Sequence, residues 1–329
     1  MDPRYLNKEK VAALLPMDEC IPLMENMFRA LANGECLQPL RSLMRLPDKS
    51  GLLGMMPAYA ENPSNLPTPN LPSPAILGIK VITIFHANGA AGYPSHQGVV
   101  MLFDGDHGQP LMLFDAGEIT AIRTAAASAV ATRLLSREDS SVLAIIGSGE
   151  QAERHIEAIL LVRNIRHINL WGRNQTHTTA LQQKLAARYC IPIRIMPTVQ
   201  AAAEAADIIC TVTAASQPVL LGDWIPKGAH LNIVGSCSPH AREVDSSAIL
   251  HSSLFTDCYE SLFNEAGDFL IPKKEGLITD SHVKAELGEV LTAHSPGRTH
   301  QEEITLFKSL GIAAEDLYSA WHIYNKSPH

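Results

Sequence analysis

The chain has 329 residues, of which 46% are hydrophobic, so it is long enough for about two globular domains. Its formal net charge of −8 and pI near 5.9, with no long basic run, make nucleic acid an unexpected partner. The six cysteines contain no C-x-x-C pair, which predicts reduced thiols and no metal site. No apolar stretch reaches about 18 residues, which predicts no membrane span. Together these features predict a cytoplasmic location.

The first third of the chain changes from helical to strand-like patterning. Apolar residues between positions 8 and 33 recur at helical spacing and stop at Asn33-Gly34, which predicts two helices. Short β-like runs then predict an antiparallel sheet, at 41–46, 52–56, 77–85, 98–103 and 110–114. The proline-rich segment 61–74 predicts a surface loop, and residues 121–135 an alanine-rich helix.

Residues 142–152 form the most informative motif of the chain. An apolar run ends in Gly147-x-Gly149-x-x-Ala152, and a helix is predicted from Glu150 to Val162. In such a strand, turn and helix, the first glycine permits the tight turn, the second lets a pyrophosphate approach the backbone, and the alanine allows close packing. The helix N-terminus attracts the anion, so Glu150 and Gln151 are candidate contacts. The motif predicts a dinucleotide site; a structural glycine turn is the alternative.

The chain after this motif alternates between strands and helices. Strands are predicted at 166–171, 191–195, 207–212, 230–234 and 253–257, which indicates a parallel, doubly wound sheet extending to about residue 300. Residues 304–311 and 312–324 are predicted as a strand and a helix that can pack on the first domain.

The end of the strand predicted at 166–171 is the place where NAD and NADP sites differ. An NAD site has a carboxylate there for the ribose 2′-hydroxyl, but this chain has no Asp or Glu between Glu157 and Glu204. Arg173, followed by Asn174, instead offers a guanidinium for a 2′-phosphate. The pattern favours NADPH, with NADH possible; alternatively, Arg173 is a solvated loop residue and either cofactor serves.

Several motifs together resemble the ornithine cyclodeaminase and mu-crystallin family. They are, in order, residues 38–41 (QPLR), 56–59 (MPAY), 78–80 (GIK), 94–98 (PSHQG), 120–126 (TAIRTAA), 147–152 (GSGEQA), 265–268 (EAGD) and 307–311 (FKSLG). The resemblance implies an α+β substrate-binding and dimerisation domain at 1–120, completed by 301–329. A Rossmann domain would occupy 121–300, and the protein would form a homodimer. The implied chemistry is hydride transfer to imines of α-amino acids.

The resemblance also assigns residues to the substrate. Arg41, Lys80 and Arg123 would hold the substrate carboxylate, which suits the donors of a guanidinium. We expect Arg123 in the first turn of a helix starting near Thr120, where the helix dipole also attracts anions. Lys80, expected at the start of a strand, could have a lowered pKa and exchange a proton with the substrate nitrogen. Surface salt bridges are the alternative for each cation.

Other residues are assigned by the resemblance to the cofactor. Ser95 and His96 would lie at the nicotinamide side, with Ser95 nearest the substrate, and Thr213 would border the adenosine or ribose. Arg123 and Thr124 would also contact the cofactor, and Ser309 is a weaker candidate.

The chain departs from the cyclodeaminase pattern at two acidic positions. Cys237 stands where cyclodeaminases have an aspartate, and Met55 where they have a glutamate, so the amine of ornithine would lack a counter-charge. A cyclic imine has no such amine, and Met55 and Met56 could contact its ring. The leading hypothesis is therefore NAD(P)H-dependent reduction of Δ1-pyrroline-2-carboxylate to L-proline, and also of Δ1-piperideine-2-carboxylate to L-pipecolate.

Three alternatives remain open. The protein could be an ornithine cyclodeaminase, the other activity that the family resemblance implies. An alanine-type or N-alkyl amino acid dehydrogenase would use an open-chain substrate. A mu-crystallin-like protein that binds NADPH and a ligand would need the glycine motif but not Lys80.

Overall fold

The computed structural model describes residues 3–48, 50–61, 63 and 75–327. Most of the predicted loop at 61–74 lies outside these residues. The chain divides into two compact units, residues 1–124 with 311–329, and residues 125–310. Within the described residues, no helix is long and apolar enough to cross a membrane. All six cysteines are free thiols, and all but Cys190 are at least partly buried.

The described residues form fifteen strands and eleven α-helices. The strands are β1 Arg4–Leu6, β2 Cys36–Leu37, β3 Ser42–Arg45, β4 Leu52–Ala60, β5 Ile76–Ile84, β6 His96–Asp104, β7 Pro110–Asp115, β8 Val142–Ile146, β9 His167–Trp171, β10 Ile193–Ile195, β11 Ile208–Thr211, β12 His230–Ile233, β13 Ser253–Thr256, β14 Val283–Glu286 and β15 Thr305–Lys308. The helices are α1 Lys8–Leu14, α2 Met17–Ala32, α3 Ala116–Leu135, α4 Glu150–Leu160, α5 Gln175–Arg188, α6 Val199–Ala203, α7 Ser246–Leu250, α8 Tyr259–Glu265, α9 Gly267–Lys274, α10 Leu287–Leu291 and α11 Ala313–Lys326.

The sheet of the first unit has seven strands. Its order is β1-β7-β6-β5-β4, and both β2 and β3 pair with β4. All these pairings are antiparallel except that of β1 with β7. The five predicted strands are therefore present. The very short β1 and β2 were not predicted, because two or three residues cannot show an alternating pattern.

The two faces of this sheet have different surroundings. Lys80 pairs with Met56 on one side and Val100 on the other, and all three side chains are buried on the face covered by α11. An added Cβ at Gly78 would lie 2.7 Å from Leu317 of α11, so this glycine permits close helix packing. Met55 points to the opposite face because side chains alternate along a strand. The expectation that Met55 and Met56 contact the same ring is therefore wrong.

Helix α3 begins earlier than the sequence pattern indicated. Asp115 caps it by accepting a hydrogen bond from the backbone N of Glu118 at 2.8 Å. Arg123 consequently lies in the third turn, and the predicted contribution of the helix N-terminus at Arg123 is wrong. The cap residue Asp115, three positions before Glu118, was the sequence signal for the true start.

The second unit contains a parallel sheet of eight strands, which confirms the predicted doubly wound α/β class. The strand order is β10-β9-β8-β11-β12-β15-β13-β14. β15, which was expected to pack on the first domain, pairs instead with β12 and β13, so this sheet extends beyond the predicted boundary at residue 300. All four β15 residues are buried, as suits a strand with neighbours on both sides.

Candidate functional site

The glycine motif forms the expected strand, turn and helix. Gly147 has φ +135°, and a Cβ there would lie 2.7 Å from the Val212 carbonyl oxygen, so only glycine fits. Gly149 is the N-cap of α4, and a Cβ built on it meets no atom within 4 Å. Ala152 is fully buried, and no side chain of the described residues caps α4. An uncapped helix N-terminus beside an open glycine fits a dinucleotide pyrophosphate.

The end of β9 carries the two residues predicted to select the cofactor. Arg173 is exposed. It has no hydrogen bond or ion pair with any of the described residues. The side chain of Asn174 caps α5 by accepting from the backbone N of His177 at 3.1 Å, which gives it a structural role. The guanidinium of Arg173 is thus available to a ligand.

The loops that follow β11, β12 and β15 hold three further candidates. The Thr213 hydroxyl donates to Glu243 at 2.8 Å, so it already has a protein acceptor. Cys237 donates from its thiol to the Leu310 carbonyl oxygen at 3.3 Å. Ser309 is buried, and its hydroxyl has no hydrogen-bond partner among the described residues.

In the first unit, two of the three predicted substrate cations, Lys80 and Arg123, belong to a buried cluster of opposite charges. Lys80 Nζ lies 2.7 Å from Asp316 Oδ2 and donates to the Thr120 hydroxyl at 3.3 Å. Arg123 donates from Nε to Asp316 Oδ1 at 3.1 Å and from Nη1 to Glu315 Oε2. Asp316 therefore joins the two cations, and all four charged side chains are at most 4% exposed.

This environment changes the protonation of the cluster. Burial lowers the pKa of Lys80 to about 8, although the charge of Asp316 opposes the shift. Lys80 is found in the middle of β5 rather than at its start, and this depth explains the desolvation. Burial also opposes the charge of Arg123, but Asp316 and Glu315 together raise the pKa of Arg123 above its ordinary value.

Arg41 lies next to the same part of the first unit. It donates from Nη2 to the carbonyl oxygen of Gly311 at 2.9 Å. Gly311 has φ +68°, and a Cβ there would lie 2.5 Å from Arg123 Nη1. Gly311 therefore adjoins both arginines. Gln38 accepts from the backbone N of Ala314 at 3.0 Å, which anchors the start of α11.

The remaining predicted residues of the first unit lie in β6 and α3. Ser95 precedes β6, and its hydroxyl is 2.9 Å from Nδ1 of His96, which is exposed. Thr124 is buried next to Arg123 in α3.

Sequence reasoning missed Thr120, Glu315 and Asp316 as members of the charged cluster. The available signal was an acidic pair between apolar residues, Ala314 and Leu317, at the start of a predicted helix. Acidic residues are common in the first turn of any helix, which made this pair inconspicuous. Their burial depends on α11 covering the sheet.

Comparisons with known proteins agree with this organisation. The model of the ornithine cyclodeaminase/mu-crystallin family matches residues 1–328. Mouse ketimine reductase mu-crystallin is 36% identical over 330 residues, covering 98% of this chain and 97% of that protein. A Δ1-pyrroline-2-carboxylate reductase of Bacillus cereus is 34% identical over 315 residues, covering 95% of this chain and 93% of that protein.

A solved structure extends the likeness to three dimensions. The Δ1-pyrroline-2-carboxylate reductase of Thermococcus litoralis, in complex with NADH and L-proline, has a TM-score of 0.92 and 36% identity, covering 98% of this chain and 96% of that one. The predicted family resemblance is confirmed, and the chain belongs to the ornithine cyclodeaminase/mu-crystallin family.

Proposed function

We propose that this protein is an NAD(P)H-dependent imine reductase that converts Δ1-pyrroline-2-carboxylate to L-proline. The observation that carries the proposal is the buried Lys80, paired with Asp316 and adjoined by Arg123. Relatives named as Δ1-pyrroline-2-carboxylate and ketimine reductases support it. Δ1-Piperideine-2-carboxylate is proposed as a second substrate, because one methylene alters discrimination by only about 1–3 kcal/mol.

Arginine side chains hold the substrate carboxylate in this proposal. A guanidinium has five N–H donors, so the bonds from Arg123 to Glu315 and Asp316 leave others for a substrate. Arg41, which donates from Nη2 to the carbonyl oxygen of Gly311, is the second arginine in this proposal. Paired N–H donors match the two oxygens of a carboxylate and orient it.

Lys80 handles the proton on the substrate nitrogen. With its pKa lowered to about 8, the ammonium is still mainly charged at neutral pH but releases its proton more easily than an exposed lysine. Protonating the imine nitrogen makes the neighbouring carbon electrophilic. Asp316 stabilises the charged form of Lys80 before transfer, and Thr120 orients Nζ.

The second unit binds the cofactor. Gly147, Gly149 and the N-terminus of α4 would hold the pyrophosphate, and Arg173 would contact the 2′-phosphate of NADPH. The bound dinucleotide supplies the hydride that adds to the imine carbon. Ser309 and Cys237 follow β15 and β12 at the carboxyl edge of the same sheet, where ligands of such folds bind.

The charge balance of the cluster disfavours ornithine as the substrate. Glu315 and Asp316 are already in ion pairs with Arg123 and Lys80. A substrate ammonium would therefore compete with these cations, and a buried charge without a partner is costly. A cyclic imine brings no distal amine.

We also propose a cytoplasmic homodimer. The sheet face opposite Lys80 is apolar and partly exposed; its residues include Met55, Pro57, Ile79, Val81, Val99 and Met101. A continuous apolar face of this kind is typical of a subunit interface. A second copy of the chain is the occupant that the family resemblance implies.

The test is oxidation of NADPH, followed by absorbance, with Δ1-pyrroline-2-carboxylate and separately with pyruvate plus ammonia. Rapid turnover of the cyclic imine without ammonia is expected. Activity only with pyruvate and ammonia would instead identify an amino acid dehydrogenase. Ammonia release from L-ornithine at a comparable rate would contradict the argument from charge balance.

A further inference from the structure

A fully buried acid in the second unit has no part in the chemistry proposed above. Both carboxylate oxygens of Glu243 are occupied as acceptors. Thr211 donates from its hydroxyl at 2.8 Å, Thr213 from its backbone N at 2.7 Å and its hydroxyl at 2.8 Å, and Gly235 from its backbone N at 2.6 Å. Thr211 ends β11 and Gly235 follows β12, so one side chain joins the ends of two strands.

Two more buried charges hold Glu243 and its surroundings. Asp268 Oδ1 accepts from the backbone N of Glu243 at 2.8 Å, and Asp268 Oδ2 lies 3.4 Å from Lys308 Nζ. Lys308 also donates to the carbonyl oxygens of Ile233 at 3.2 Å and Ser236 at 2.6 Å. All three charged side chains are at most 1% exposed. The network therefore fixes residues 211–215 and residues 233–237.

The position of these two loops in the sheet suggests what they serve. In parallel α/β sheets, ligands bind beyond the carboxyl ends of the strands, where the strand order reverses. Here β8, which leads into the glycine motif, lies between β9 and β11. The loop after β11 is therefore next to the dinucleotide motif in strand order, and a Cβ on Gly147 would lie 2.7 Å from the carbonyl oxygen of Val212.

We propose that Glu243 is a positioning residue for the dinucleotide, which fixes the loops after β11 and β12 so that they can border the bound cofactor. Lys308 and Asp268 hold it in place. The inference rests on the proposed cofactor use.

The position requires a carboxylate rather than an amide. Backbone N–H groups of Thr213 and Gly235 point at different oxygens of Glu243, and neither group can rotate away as a hydroxyl can. In Glu243→Gln, the amide NH2 would face one of these N–H donors whichever way it is placed. One loop must then shift or lose its hydrogen bond.

The experiment measures the dissociation constants of NADPH and NADH by nicotinamide fluorescence, in the absence of substrate. Glu243→Gln is expected to raise the dissociation constant for NADPH about tenfold or more, as follows from one unsatisfied buried donor. The KM for NADPH should rise with it, while the KM for the imine stays unchanged.

Asp207→Asn is the matched control. Asp207 also accepts from two backbone N–H groups, those of Ser141 at 2.8 Å and Val142 at 3.0 Å, but it lies just before the amino end of β11, away from the loops after β11 and β12. The control should lower the melting temperature without weakening NADPH binding. Equal weakening by both variants would overturn the proposal, because the effect would then be general destabilisation.

Thr211→Val provides a milder test if Glu243→Gln does not fold. It removes one hydroxyl donor to Glu243 and keeps the side-chain shape, so a smaller rise in the NADPH dissociation constant is expected. Unchanged binding in a folded variant would overturn the positioning role alone. Failure of the unaltered protein to bind either dinucleotide would overturn the proposed function as well.

Discussion

Lys80 Nζ and Asp316 Oδ2 are 2.7 Å apart, and both side chains are almost entirely buried. Asp316 also accepts from Arg123, so one carboxylate partly balances two cations. A lysine buried at this depth without an acid would lose its proton more readily, because desolvation disfavours the charged form. The pair therefore sets the pH range in which Lys80 can donate a proton.

The fall of kcat/KM at alkaline pH, the alkaline limb of the pH profile, should depend on the ion pair between Lys80 and Asp316. The pKa of Lys80 lies near 8, so kcat/KM for imine reduction should fall as pH rises through about this value and Lys80 loses its proton. Asp316→Asn removes the charge that raises the pKa of Lys80, so the limb should move to lower pH. Glu315→Gln is the control, since Glu315 pairs with Arg123. A limb that does not move in Asp316→Asn would contradict the assignment.

Replacement of Lys80 should separate catalysis from cofactor binding. Lys80→Met keeps the length of the side chain but cannot transfer a proton, so kcat should fall roughly 100- to 10,000-fold. Binding of NADPH, measured by fluorescence, should be unchanged. Retained turnover in Lys80→Met would rule out Lys80 as the proton donor. If the protein only binds its ligands, the unaltered protein would itself show no turnover.

Arg173 should determine the preference between the two dinucleotides. Arg173→Ala removes the charged donor at the end of β9, and the ratio of kcat/KM for NADPH to that for NADH should fall about tenfold. Arg166→Ala is the control, because Arg166 is an exposed arginine just before the amino end of the same strand. An equal effect of both variants would indicate a general charge effect instead.

The apolar sheet face should hold the dimer together. Met101→Glu places a charge on this face, opposite Ile79, and should shift the species seen by light scattering from twice the chain mass of 35.7 kDa to the monomer. Leu161→Glu is the control, since Leu161 is 52% exposed at the end of α4. A monomeric unaltered protein would contradict the proposed dimer.

Local patterns were sufficient to predict most of the fold. The five strands of the first sheet, the glycine motif and the parallel sheet all follow from runs of apolar residues and from turn residues. The start of α3 and the position of β15 were predicted incorrectly. The start of α3 was missed because its cap residue, Asp115, was overlooked in favour of the alanine-rich stretch that follows. A buried strand of four residues does not indicate which strands it pairs with.

The candidate site was predicted only in part. Lys80 and Arg123 were identified by the family motifs, but the acids that pair with them were not. Met55 was expected beside Met56 because they are adjacent in the sequence, yet alternation along β4 places them on opposite faces.

The sequence by itself determined the class of fold, the dinucleotide motif and the family, because each is recognised from short patterns of neighbouring residues, even where several such patterns are combined along the chain. The tertiary structure decided which charges meet. Asp316 reaches Lys80 only because α11 covers the sheet, and Glu243 reaches Thr213 and Gly235 only because β11 and β12 are neighbours. Burial then strengthens these interactions and shifts the pKa of Lys80, an effect that depends on surrounding atoms from distant parts of the chain.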